Sequence, residues 1–214
     1  MATTSTPSNI PEMTGDIKFT RVVWIALHNA LSINIKIYDI TSEVLDKPDG
    51  FEDAKTISKS LADRPVTYLI KQKGWWKEYE LFDGDLSDKK STPPILASWK
   101  PSRHDMMDQK FSFPSESSHS DHEITLKRIK LMKRQETFVK DSVEYYWHFD
   151  TSMARSKLVL VKKTGQEEKI VARFKGPFPT IRTSGALAVD EEEVDLIVAL
   201  LTCCGMLRKD RQRR

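Results

Sequence analysis

Residues 190–207 read DEEEVDLIVALLTCCGML. Asp190, with Glu193 three residues on, is a capping-box-like start. From Val194 through Leu196, Ile197, Val198, Ala199, Leu200, Leu201, Cys203, Cys204, Met206 and Leu207, apolar side chains then cover every face of a helix. Acidic residues crowd its first turn, and Arg208, Lys209 and Arg211 follow its last, both complementary to the helix dipole. A helix that is apolar all round is buried on every side or lies in a membrane. The run from Leu196 to Leu207 spans only about 18 Å against a hydrocarbon core of about 30 Å, so it is too short to cross. Something else in the chain must surround it.

The rest of the chain is β-patterned. Alternation of apolar and polar residues is cleanest at Ile33, Ile35 and Ile37, opposite Asn34 and Lys36. It is equally clean at Val143, Tyr145, Trp147 and Phe149, opposite Glu144, Tyr146, His148 and Asp150. Further strands are expected over 19–25, 67–71, 77–82, 95–100, 110–113, 123–131, 158–162, 169–175 and 186–189, with a hairpin turn at Thr164-Gly165. That makes roughly a dozen strands and no second long helix. Phe51, Ala54, Ile57, Ser58 and Leu61 fit a short amphipathic helix over 51–61, ended by Arg64-Pro65 and placed outside the sheet. The expected fold is therefore mainly β: a closed, roughly twelve-stranded antiparallel barrel around a central hydrophobic C-terminal helix. Closure also removes the exposed sheet edges. Residues 1–16, rich in Thr, Ser and Pro, read as a disordered lead-in, 17–207 as the barrel domain and 208–214 as a basic tail.

The 214 residues hold 34 Lys plus Arg against 31 Asp plus Glu, a formal +3, which does not suit a nucleic-acid binder. Five Lys/Arg and one Asp lie in residues 208–214, so the body is slightly acidic. At 39% hydrophobic and 30% charged, the composition is neither disordered nor that of an integral membrane protein. The amino terminus lacks the basic start and apolar core of a secretory signal. The two cysteines, Cys203 and Cys204, are adjacent and diverge by about 100° on a helix, so they read as reduced, buried core residues of an intracellular protein.

The order of these segments resembles the tubby C-terminal-like superfamily, which includes tubby proteins, phospholipid scramblases and LURP-one-related proteins, and is closest to its fungal branch. The carrying segments are Ile95-Leu96-Ala97-Ser98-Trp99-Lys100, Phe111-Ser112-Phe113-Pro114, Ser118-His119-Ser120-Asp121-His122-Glu123-Ile124 and 143–149. They continue with 157–162, Ile170-Val171-Ala172-Arg173-Phe174 and the terminal helix with its basic end. The resemblance runs from Ile33 onward and implies a barrel around a hydrophobic helix. It also implies binding of phosphoinositides through surface cations, and no lipid-binding residue is carried over from it.

The densest interior basic stretch is Lys127, Arg128, Lys130, Lys133 and Arg134. Lysine and arginine give charge-assisted donors to phosphate oxygens, so these residues are candidates for binding anionic phospholipid headgroups. Lys162 and Lys163, near the predicted hairpin tip, are expected to add to that surface. Arg208, Lys209, Arg211, Arg213 and Arg214 are candidates for contact between the tail and acidic lipid or a nuclear address. Trp75, Trp76 and Tyr146 could anchor at an interface. His119, Asp121 and His122, with His104 and Asp105 nearby, lack the spacing of a metal site, and Ser118, His119 and Asp121 lack the separation of a catalytic triad. No cofactor, metal or catalytic role is expected. The expected function is a non-enzymatic, monomeric, cytoplasmic binding module with peripheral membrane or nuclear association. The alternative is a protein-interaction scaffold, with loops 84–94 and 101–109 as contact regions.

Overall fold

The computed structural model describes residues 18–27, 34–45, 58–74, 78–86, 93–101, 108–128, 135–149, 157–176 and 184–212. It is a closed antiparallel barrel of twelve strands around the C-terminal helix. The strands are β1 (Arg21–Leu27), β2 (Asn34–Asp39), β3 (Tyr68–Lys73), β4 (Glu78–Asp83), β5 (Ile95–Pro101) and β6 (Gln109–Ser112). They continue as β7 (Ile124–Arg128), β8 (Glu136–Lys140), β9 (Val143–Phe149), β10 (Lys157–Thr164), β11 (Glu167–Lys175) and β12 (Gly185–Val189). Each strand pairs with its sequence neighbours, and β1 closes the ring on β12 with Val23 opposite Leu187. The helices among the described residues are α1 (Thr41–Val44), a 3-10 turn at Ser58–Asp63 and α2 (Leu196–Gln212).

The inward residues follow from alternation. Val23 and Ile25, Ile35 and Ile37, Ala97 and Trp99, Ile124 and Leu126, and Tyr145 and Trp147 share one core with Leu196 to Met206 of α2. A ring of twelve strands is wider than the eight whose side chains alone fill the bore, and the helix occupies the difference. At 17 residues α2 is about 26 Å long, enough to traverse the barrel. Where Phe111 and Leu126 press on the helix, it presents Gly205, whose missing side chain would lie 3.1 and 3.3 Å from them.

A second, smaller core lies outside the barrel. Val22, Trp24 and Ala26 of β1, Tyr38 of β2, and Ala186 and Ala188 of β12 pack with Ile40, Val44 and Leu61. Strand β12 is therefore buried on both faces, which is why Gly185–Val189 is apolar throughout rather than alternating. Thr41 pins α1 to β1: its hydroxyl accepts from the Val22 N–H at 3.0 Å and donates to Asp39 Oδ1 at 2.6 Å.

Several expected boundaries shift. Helix α2 begins at Leu196, not Asp190. Asp195 is its cap, accepting the Val198 N–H on Oδ1 at 3.0 Å, while Asp190 organises a separate turn through Glu193 and Val194. The helix also continues to Gln212, so residues 208–212 are its last turn rather than a tail; 213–214 lie outside the described residues. The β10–β11 turn is Gly165-Gln166, one residue later than expected, with Gly165 at φ 64°. Of the strand expected over 123–131, Ile124–Arg128 is described as β7 and 129–131 lie outside the described residues; β8 was not anticipated. Of the expected outer helix over 51–61, Ser58 onward forms a 3-10 turn and Leu61 does pack outside the barrel; 51–57 lie outside the described residues, as do 1–16. Among the described residues, no helix is long and apolar enough to cross a membrane.

Candidate functional site

Because every strand is antiparallel to its neighbours, successive connections lie at alternate ends of the barrel. Helix α2 starts at one and finishes at the other.

At the starting end, the described connections carry Glu43, Asp63, Asp85, Glu116, Asp121, Glu123, Asp141, Asp190, Glu191, Glu192, Glu193 and Asp195, against Lys18, Lys59 and Arg64, and the adjoining strand ends add Asp39, Asp83, Glu144, Glu167 and Glu168 with Arg21, Lys140, Lys162, Lys163 and Lys169. Lys162 and Lys163 belong to this end, not to the surface of the 127–134 stretch as expected. The Glu193 carboxylate sits between Lys162 at 2.8 Å and Lys169 at 2.7 Å, residues that face each other across β10 and β11. Hydrogen bonds from both ammonium groups hold that carboxyl below its ordinary range. The Tyr145 hydroxyl donates to the Glu193 carbonyl at 3.2 Å. Lys163 lies 3.9 Å from Glu144.

His119 also acts here, through a partner the sequence did not suggest. Its Nδ1 lies 2.9 Å from Asp195 Oδ2, so the loop between β6 and β7 grips the cap of α2. His122 pairs instead with Asp121 at 2.6 Å. Donor atoms of Asp121, His122 and Asp141 lie within 4.8 Å of one another on the open surface, but the Lys140 ammonium is 2.5 Å from Asp141. With a lysine already on one donor, this group carries no metal assignment. His104 and Asp105 lie outside the described residues.

At the finishing end, the described strand termini and the last turn of α2 carry Lys73, Lys100, Lys127, Arg128, Lys157, Lys175, Arg208, Lys209 and Arg211, against Glu78, Glu80, Asp108, Glu136 and Asp210, and Lys73 and Lys100 pair there with Glu80 and Glu78. Lys127 points outward and is exposed; it has no ion pair with a described residue. Arg128 follows Ile124 and Leu126 on the inner face and is in register with Glu136. Lys130, Lys133 and Arg134 lie outside the described residues, between the ends of β7 and β8. Trp75 and Trp76 also lie outside them, between β3 and β4.

The expected tail contacts divide. Arg208 stacks its guanidinium over Tyr79, 4.6 Å from the ring centroid, and over Trp99 at 5.5 Å. Lys209 is not a solvent-facing cation: it is 2% exposed, with its ammonium 2.6 Å from the fully buried Glu136 carboxylate and 3.5 Å from the Leu126 carbonyl. Its helical position turns it inward, and burying the charge requires that partner. Arg211 is in α2; Arg213 and Arg214 lie outside the described residues.

Between the two ends α2 fills the bore, and several of its polar groups are engaged internally, whereas Trp99 Nε1 and Gln109 Oε1 are buried without a hydrogen-bond partner among the described residues. The Trp147 indole N–H donates to the Thr202 hydroxyl at 3.0 Å, which donates to the Val198 carbonyl at 2.7 Å. Gln109 Nε2 donates to the Gly205 carbonyl at 2.9 Å. Cys203 and Cys204 are free and buried; burial pushes the Cys204 thiol up to about 12 and that of Cys203 well above its ordinary value. Neither is poised for thiolate chemistry. Lys209 could not be assigned from sequence, since only Glu136, on the unanticipated β8, explains its burial. Compared with known proteins, the chain matches no family model, no curated protein and no solved structure.

Proposed function

We propose that this chain is a non-catalytic binding module of the tubby C-terminal-like superfamily. It engages anionic phospholipid headgroups through the basic segment that starts at Lys127 and runs to Arg134, as a monomer held peripherally at a cytoplasmic membrane surface. The supporting observation is the contact of Lys209 with Leu126 and Glu136. It brings the last turn of α2 beside the start of that segment, so two basic stretches far apart in sequence share one barrel end. With the bore filled by α2, recognition falls to the outside of the barrel. Co-sedimentation with phosphoinositide-containing vesicles tests the reading, and binding should weaken as salt screens the contact. Unchanged sedimentation of the Lys130→Glu/Lys133→Glu/Arg134→Glu variant would reject the assigned segment.

A second reading, a protein-interaction scaffold, draws on the way surface cations pair with carboxylates. Lys73 meets Glu80 at 2.6 Å, Lys100 meets Glu78 at 2.8 Å and Lys110 meets Glu123 at 2.8 Å. A specific partner recovered by affinity purification, with no vesicle binding, would favour it.

A further inference from the structure

We propose that the outer wall of the barrel carries a phosphate-binding site centred on Arg173, which takes the dianionic phosphate of a soluble phosphate monoester. The inference is independent of the lipid reading above, because it uses none of the residues assigned there. Arg173 and Lys175 are two apart on β11 and so share a face; Lys157 stands opposite Lys175 on β10, and Val159 stands opposite Arg173. Their neighbours Leu158, Leu160 and Phe174 point into the main core, so these four side chains point out. Residues directly opposite have Cβ atoms about 4.5–5.5 Å apart and diagonal neighbours about 7–8 Å, so the three long cationic chains reach one common point. Lys157, Arg173 and Lys175 are each partly exposed.

Two observations point to an anion there. Arg173 makes no hydrogen bond or ion pair with a described residue, and its Nε is buried without an acceptor. It stands between Val159 of β10 and Ala188 of β12, both buried, so the guanidinium is partly withdrawn from water without the partner that such burial calls for. Lys157 and Lys175 face each other as like charges, an arrangement that weakens a strand pair, and burial pushes the Lys175 ammonium down from its ordinary value. The described wall offers no carboxylate to offset them: residues 146–149, 157–161, 170–175 and 185–189 contain none. Glu144 and Glu168, farther along β9 and β11, are taken by Lys163 and by the Tyr146 hydroxyl. An oxyanion held between Arg173 and Lys157 supplies the missing charge, with the guanidinium donating from its planar fork and the ammonium from the side. Three cations on adjacent rungs match the double charge of a phosphate monoester rather than the single charge of a carboxylate. Their compactness suits one phosphate group rather than a plane of headgroups.

The test titrates the full chain with inorganic phosphate and with phosphoserine, against sodium chloride at matched ionic strength, and follows the melting temperature by calorimetry. Once phosphate exceeds its dissociation constant about fivefold, the wild type should gain about 2–4 °C over chloride. Arg173→Gln and Lys157→Gln, each checked for native circular dichroism, should lose at least about half of that gain, and Lys18→Gln should keep it. If Arg173→Gln does not fold, Arg173→Lys takes its place, since it keeps the charge but not the planar fork, and should also lose gain. No gain over chloride in the wild type, or an equal gain in the wild type and both wall variants, would overturn the site. Vesicles of phosphatidylcholine with phosphatidylinositol phosphate separate the sources: vesicle binding lost in the wall variants, with no response to soluble phosphate, would overturn the soluble ligand in favour of a lipid headgroup. The Lys130→Glu/Lys133→Glu/Arg134→Glu variant should keep the full phosphate response whatever its vesicle binding, so the two readings fail separately.

Discussion

Lys209 of the terminal helix and Glu136 of β8 meet 2.6 Å apart inside the barrel, 2% and 0% exposed. An ion pair this far from water is costly to assemble, yet losing one partner is costlier, because the other charge is left buried alone. Glu136→Leu and Lys209→Met should each lower stability by about 3–5 kcal/mol. The double variant Glu136→Leu/Lys209→Met should lose much less than the sum of the two. Urea unfolding of the four proteins measures the coupling; additive losses would show that the pair does not act as a unit.

Glu193 links acid stability to the latch at the other barrel end. Its folded carboxyl titrates below the ordinary range because Lys162 and Lys169 donate to it. A depressed carboxylate contributes stability that is fully present above its unfolded value, about pH 4.3, and is lost as pH falls through the lower folded value. Glu193→Gln should therefore be less stable than the wild type at pH 7, by no more than about 1 kcal/mol since Lys169 is 53% exposed. That difference should shrink below about pH 4. Thermal melts of both proteins from pH 7 to pH 3 check the sign.

Gly185, at the start of β12, lets two backbones approach. A methyl group there would fall on the Lys175 carbonyl, 2.6 Å from Phe174 Cζ and 2.9 Å from Gly176 Cα. Two of these obstacles are backbone and cannot rotate aside. Gly185→Ala should cost about 1–3 kcal/mol by overpacking, read as a lowered melting temperature.

The β8–β9 hairpin turns on Asp141 and Ser142, at φ 51° and 64°, a left-handed conformation unusual for side chains other than glycine. Two such central residues are what a two-residue hairpin loop needs, and Asp-Gly suits it better than Asp-Ser. Ser142→Gly should raise stability by about 0.5–1 kcal/mol, visible as a shifted urea midpoint.

Much of this architecture was legible along the chain. Strand β9 alternates so regularly that Tyr145 and Trp147 could be assigned to the core directly. The helix was legible because it is apolar on every side. Its boundaries were not, since Asp190 and Asp195 both offer a capping carboxylate and only the hydrogen bond to Val198 distinguishes them. Strand β8 escaped notice because its inward positions are Glu136, Phe138 and Lys140, so polar residues stand where alternation expects apolar ones. Of the candidate cations, Lys127 lies on the outer surface as a strand position predicts. Lys162, Lys163 and Lys209 do not join it there, because their places depend on which barrel end or which partner each one faces.

Amino-acid order by itself determined that a short, uniformly apolar helix must be enclosed and that the strands must close around it, because burial and hydrogen-bond satisfaction leave an antiparallel barrel as the solution. Tertiary structure alone decided which charges are surface groups and which are internal ties. Alternation places a side chain inside or outside a strand, but the barrel end at which each charged residue lies follows from strand direction around the ring. The burial of Lys209 arises from a carboxylate 73 residues away in sequence that meets it only in the closed barrel.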